Sequence, residues 1–316
     1  MAYDNVTDAN SVGRAIPEAV SGEILKNVPQ QSAALQFFRR IPMSTRTQVM
    51  NVLSALPVGF FVSGDTGLKQ TTELEWQDRK MYVEEIATIL PVPINVIDDM
   101  SFDIWAEARP LIEEAFGRVL DNAVFFGVNK PSTWPAAVVP AAVAASNYVD
   151  LVSGDMPGQT AWGPKYADKI SDTFSKVEDD GYAVTGVVVP RTIRGIFRKI
   201  RNNNGDALAD LQGGSYDGIS FQQTMDGMWP SGSGAANLIA GDFTKGIIGL
   251  RKDMTYEIFR EGVITDNTGA IIFNLMQQDM VAMRVTFRVA FQTVNPVSFA
   301  NLDAASRYPF AVLRLP

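Results

Sequence analysis

The chain has 316 residues, 46% of them hydrophobic, and a net charge of −8 from 27 basic and 35 acidic side chains. It contains no Cys and no His, which excludes Ser-His-Asp and Cys-His catalysis, zinc sites built on those ligands, cysteine-held iron–sulfur clusters and disulfides. The length slightly exceeds what one core usually supports, so two lobes are expected.

Met1-Ala2-Tyr3-Asp4-Asn5 lacks a charged segment leading into an apolar run, so no signal peptide is expected. The best candidate for a membrane segment, Trp134 to Ala145, is too short to span and is interrupted by Pro135 and Pro140. The expectation is a soluble, cytoplasmic protein. Residues 1–42 mix small polar residues with short apolar pieces, and Glu18 to Val28 can form a short helix opened by Pro17. Their apolar content is too thin for an independent domain; they read as an arm that lies on something else.

Thr47–Leu56 and Glu73–Leu90 read as two extended segments around the turn formers Ser63-Gly64-Asp65-Thr66-Gly67-Leu68-Lys69-Gln70. A hairpin this long is marginal alone in water, and Phe60, Phe61, Val62, Leu74 and Trp76 are strung along it. It must lie on another surface, and a neighbouring subunit supplies one if its own domain does not. Asp98 to Gly127 reads as helical, with Ala108, Ile112, Phe116, Val119, Ala123 and Phe126 on one face. Ser101 or Asp103 can cap it, Pro110 marks a start or kink, Glu114 and Arg118 form an i,i+4 pair, and Gly127 ends it. Pro131 to about Gly163 is rich in Ala, Pro and Val and suggests a surface connection between lobes.

The second lobe opens with a helix over Lys165–Asp180, a buried strand over Val184–Val189 and a basic helix over Arg191–Arg201. Glycine-rich turns at Gly213-Gly214 and Gly232-Ser233-Gly234 surround further short strands. Gly246 to Glu261 then alternates, with Ile248, Leu250, Met254, Tyr256 and Ile258 sharing one parity. Gln278 to Asn295 alternates more cleanly still. Val281, Met283, Val285, Phe287, Val289 and Phe291 take one side, while Ala282, Arg284, Thr286, Arg288, Ala290 and Gln292 take the other. Pro296 stops the ladder.

Charge is uneven. Between Glu73 and Asp121 there are twelve acids against four bases, a local −8, whereas the first fifty residues carry five bases and four acids. Either this is an evenly solvated acidic surface, or one face is kept negative so that a polyanion does not adhere to it. Asp98, Asp99 and Asp103 have no second acidic cluster to complete a metal–diphosphate site and read as helix capping. Gly232-Ser233-Gly234-Ala235-Ala236-Asn237 fails the dinucleotide fingerprint at its third glycine, and there is no P-loop. In the basic helix, Ile193, Ile196, Phe197 and Ile200 make a docking face. The cations opposite can serve intersubunit salt bridges, solvation or DNA contact; Arg39, Arg40 and Arg46 pose the same question in the arm.

The order of these parts resembles the major capsid proteins of tailed, actinophage-like bacteriophages with the HK97 fold. A long hairpin is followed by a long helix running into Phe125-Phe126-Gly127-Val128-Asn129-Lys130-Pro131, then a small α/β lobe, then an alternating strand ending in Asn295-Pro296-Val297-Ser298-Phe299. The resemblance implies an α+β fold with an N-terminal arm (1–42), an extended hairpin or E-loop (43–90), a P-domain (91–139 and 246–289) carrying a spine helix (103–127), and a mixed α/β A-domain (140–245 and 290–316). It implies no catalysis, metal or cofactor. The function implied is self-assembly into hexamers and pentamers of an icosahedral shell around double-stranded DNA, an encapsulin-like cargo compartment being the alternative with the same fold.

Scaffolding and portal proteins are implied as assembly partners and a decoration protein as a further one, with assembly in the bacterial cytoplasm and residence in the virion. Some relatives carry a cleaved scaffolding segment ahead of the arm; here the expectation is that it has been removed or that scaffolding is a separate protein. Phe60, Phe61, Lys69, Trp76, Arg39, Arg40, Arg194 and Arg198 are the expected interface residues, and Glu107, Glu113, Glu114 and Asp121 the expected acidic lining. Some capsids of this fold cross-link an E-loop lysine to a neighbour's asparagine, a role that would fall to Lys69 with Asn267 or Asn274.

Overall fold

The computed structural model describes residues 31–62, 68–99, 103–202, 204–206, 215–225, 227–266 and 268–316. The expected helix at 18–28, the hairpin residues 63–67, Ser101, Gly213-Gly214 and Asn267 lie outside these.

Ser32 caps α1 (Ala33–Phe37), its hydroxyl accepting from the Leu35 amide. β1 (Arg39–Pro42) follows. β2 (Thr47–Ala55) and β3 (Glu75–Pro93) pair antiparallel from Thr47↔Tyr82 to Ala55↔Glu75, close to the expected hairpin. The helical stretch is divided in two. α2 (Ile94–Asp99) is separate, and α3 (Ile104–Asp121) starts where the Asp103 carboxylate accepts from the amides of Trp105 and Ala106. Pro110 sits inside α3 without ending it. A π-helical turn, Asn122–Phe126, closes at Gly127, whose φ of 76° suits a residue without a Cβ.

The connection from 131 to 163 departs from expectation. It holds α4 (Val138–Ala144) and β4 (Tyr148–Asp150), and Trp134, Val138, Ala142, Val149 and Leu151 are buried. Its low charge marks core rather than a surface tether. α5 (Trp162–Asp179) and β5 (Gly186–Val189) fall where expected. The basic helix is much shorter than its pattern suggested. α6 spans only Ile193–Phe197, though Ile193, Phe197 and Ile200 are buried as the docking face requires. β6 (Ser215–Tyr216), β7 (Ile219–Gln223), β8 (Ala236–Gly241), β9 (Gly246–Phe259), a ribbon of β10 (Val263–Thr265) and β11 (Ile271–Asn274), β12 (Met280–Thr293) and β13 (Phe310–Arg314) complete the chain.

Two sheets organise these elements. One has the order β1-β9-β12-β3-β2, the other β4-β13-β8-β5-β7-β6. β12 is the centre of the first. It pairs antiparallel with β3 from Met280↔Pro93 to Ala290↔Val83, and with β9 from Ala282↔Phe259 to Thr293↔Gly246. It runs unbroken through 289–290. Met283, Val285, Phe287, Val289 and Phe291 enter the main core with Phe116, Leu120 and Phe125, while Arg284 and Arg288 face outward. On β9 the expected parity holds for Ile248, Leu250, Met254 and Tyr256, but Ile258 is exposed where the strand runs past the core.

The root of the arm is core, not a loose strap. Phe38 lies 5.6 Å from Phe125, 5.6 Å from Phe243, 5.9 Å from Phe291 and 6.0 Å from Phe310, joining rings from both sheets.

Candidate functional site

Among the described residues no group of three or more acidic side chains could hold a metal ion, and no helix is long and apolar enough to cross a membrane. What the structure presents instead is surface.

The hairpin leaves the sheet where β3 stops pairing with β12. Beyond that point Phe60, Trp76, Leu68 and Leu74 are exposed and Phe61 is entirely so. Two strands alone cannot bury such side chains, because the ribbon has no third layer. Lys69 stands exposed beside them. Arg39 and Arg40 are exposed on β1, and Arg40 borders a groove between α1 and α3 with Glu113 and Glu114. Arg194 and Arg198 are exposed on the outer side of α6 and its C-terminal end.

The acids of α3 divide. Glu113 is exposed and accepts from the Tyr256 hydroxyl at 2.7 Å. Glu114 is half-buried and pairs with Arg118 at 3.2 Å, the expected i,i+4 pair. Glu107 is half-buried in the first turn. Asp121 does not belong with them. It is fully buried, and its carboxylate accepts from the Ser32 hydroxyl at 2.6 Å and from the amides of Ala33 and Ala34 at 2.9 and 3.0 Å. Its place on the helical wheel suggested solvent, but α1 covers that part of α3. The close approach needs Gly117, where a Cβ would stand 3.2 Å from Ser32 Cβ and 2.8 Å from Met225 Cε.

Asp121 is thus a cap supplied from another element, satisfying donors at the start of α1. Burial pushes its pKa up to about 6, against the pull of the three donors. Asp121→Ala is expected to cost about 3 kcal/mol by stranding those donors. The native state holds the proton more tightly than the unfolded chain, so the linked stability is full below pH 3.8 and lost as pH rises through about 6. Melting temperatures of wild type and Asp121→Asn across that range check this: the wild type should lose ground to Asn as pH rises.

A second polar cluster escaped sequence reading. Asp180, buried at the end of α5, accepts from the Asn147 and Asn301 side-chain amides and the Tyr308 backbone amide. Buried Arg307 donates to Asn295 Oδ1 and the Asn301 carbonyl, and the Tyr182 hydroxyl donates to Asn295 Oδ1 and the Pro296 carbonyl. The motif Asn295-Pro296-Val297-Ser298-Phe299 is therefore tied to the second lobe by its polar residues. Asp180 and Tyr182 lie more than a hundred residues from their partners at Asn295, Pro296, Asn301 and Tyr308, so no local window could show them.

A family model described as the phage capsid family matches residues 12–304 of this chain. The major capsid protein of Staphylococcus phage 80alpha is 24% identical over 307 residues, covering 96% of this chain and 89% of that protein. A solved structure from Microbacterium phage Oxtober96 is 35% identical, with a TM-score of 0.84 over 99% of this chain and 100% of that one. One from Mycobacterium phage Bobi is 29% identical, with a TM-score of 0.84 over 99% of each chain.

Proposed function

The chain belongs to the phage capsid family, and from that premise we propose that it builds hexamers and pentamers of an icosahedral shell around double-stranded DNA. It is a phage major capsid protein of the HK97 fold, a structural protein rather than an enzyme. The observation carrying the finer reading is the hairpin, whose apolar side chains Phe60, Phe61, Leu68, Leu74 and Trp76 are exposed among the described residues. A subunit that leaves Phe61 and Trp76 in water is completed by a neighbour. Many such contacts, each of modest strength, multiply in a closed shell. Arg39, Arg40, Arg194 and Arg198 supply further charged contacts between subunits, and scaffolding and portal proteins join during assembly. Electron microscopy of the purified protein tests the reading: closed shells support it, protein-filled compartments point to cargo storage, and small soluble particles overturn it.

The acidic side of α3 faces the lumen in this reading. A wall rich in carboxylates repels phosphate, whereas Lys and Arg would release counterions and hold the genome to it. Glu107, Glu113 and Glu114 serve this role; Asp121 is buried and does not. Reversal of Glu114 to Lys would place a second cation against Arg118, so neutralisation is the cleaner test. Glu113→Gln with Glu114→Gln should leave the subunit folded and raise DNA retention by shells at low salt, the excess vanishing as salt rises. Equal retention at every salt concentration would place these carboxylates on another face.

A further inference from the structure

The start of α5 lies beside exposed cations, while its end carries Glu178 and Asp179 just beyond Lys176, the one cation of its last turn. At 18 residues the helix is about 27 Å long. At its start Gly163 lies against the Arg201 backbone, which brings up the exposed cations Arg194, Arg198 and Lys199. At its end Glu178 and Asp179 are exposed, where the helix dipole favours cations and disfavours carboxylates. Among the described residues none of these five side chains has an ion-pair partner. The placement of Glu178 and Asp179 weakens the isolated helix, and a cation brought from outside would relieve it.

The acidic end also carries apolar surface. Gly181 packs against Ser298 and Ala300, and the loop they begin exposes Phe299 and Leu302 by 72% and 68%. The loop is held in advance. Ser298 donates to the Asp180 carbonyl at 2.6 Å, and the Asn301 amide donates to the Asp180 carboxylate at 2.7 Å. Side chains fixed before contact lose little entropy on binding, which is how an interface anchor is built. An apolar centre rimmed by charge is the usual anatomy of such a patch.

We propose that this corner receives the Arg194–Lys199 segment of a second copy of the chain, head to tail. Complementary charges select the segment, and the aliphatic stems of its arginines cover Phe299 and Leu302. Since the two patches sit at opposite ends of one helix, the contact is heterologous and repeats from subunit to subunit; it closes a ring when the rotation allows. The proposal rests on the self-assembly reading and names a contact within it, separate from the hairpin.

The absence of Cys makes trapping unambiguous. In a variant carrying both Asp179→Cys and Arg198→Cys, a bridge within one subunit would leave a monomer on a denaturing gel, whereas a bridge between copies links them, since bridged Cα atoms must come within about 7 Å of each other. Mild oxidation of its shells should give a ladder of disulfide-linked oligomers that collapses on reduction. Arg194→Glu with Arg198→Glu should lower shell yield about tenfold or more, as should Glu178→Arg with Asp179→Arg, and combining all four should restore most of it. The acid-to-arginine variant should melt no lower than wild type, which separates loss of assembly from loss of folding. Shells that form but give only monomers on oxidation, or reversed variants that assemble as wild type does, overturn this contact and leave the assembly reading standing. A wild type that forms no shells overturns both.

Discussion

Phe287→Ala should destabilise the subunit by about 3–5 kcal/mol and lower its soluble yield, because Phe287 lies on the core face of the central strand. The ring is almost fully buried among side chains of α3 and β9 that cannot collapse into the space it leaves. Its neighbour Arg288 gives the control. It pairs with Glu85 at 2.7 Å, but both side chains are nearly half exposed, so Arg288→Ala should cost under about 1 kcal/mol. Denaturant unfolding of the two variants, compared at equal slope, reads the difference directly. If Arg288→Ala proved the more damaging, the assignment of faces on β12 would be reversed.

That assignment was legible because a strand buried on one face writes a period of two into the chain, and β12 sits at the centre of its sheet. The same rule loses its force at the strand's ends. Ala282, Ala290 and Gln292 are buried on the other face, where β12 meets smaller clusters formed with Met81, Val83, Ile247 and Leu275. Residues 131–151 depart from expectation for a related reason. Short apolar pieces interrupted by proline look like surface connections, yet they fill gaps between two sheets whose positions no local pattern reports. Asp121 shows the limit most sharply. Its spacing placed it with the acids of α3, and only the packing of α1 turns it inward onto Ser32, 89 residues away in sequence. The exposure of Phe60, Phe61 and Trp76 was legible, since a large aromatic in a thin hairpin is visible in the sequence as a side chain without a core.

Phe61→Asp should leave a folded, soluble subunit that fails to build shells. The side chain is fully exposed and touches no core cluster, so its replacement removes nothing that holds the subunit together. Its effect on unfolding should lie within about 0.5 kcal/mol, as for other surface substitutions. In an assembled shell the same position would be buried against a neighbour, and a carboxylate there would be stranded without a partner. Desolvating it costs several kcal/mol at each contact. Because the contact recurs at every subunit, the penalty is multiplied around the shell and assembly should stop rather than slow. Trp76→Ala is the milder counterpart; it removes apolar area without adding charge, and should reduce shell yield while leaving residual particles. Sedimentation and electron microscopy of the two variants, alongside their melting curves, separate folding from assembly. Normal shells from Phe61→Asp would mean that the hairpin stays in solvent in the particle, and that the subunits are joined through other surfaces.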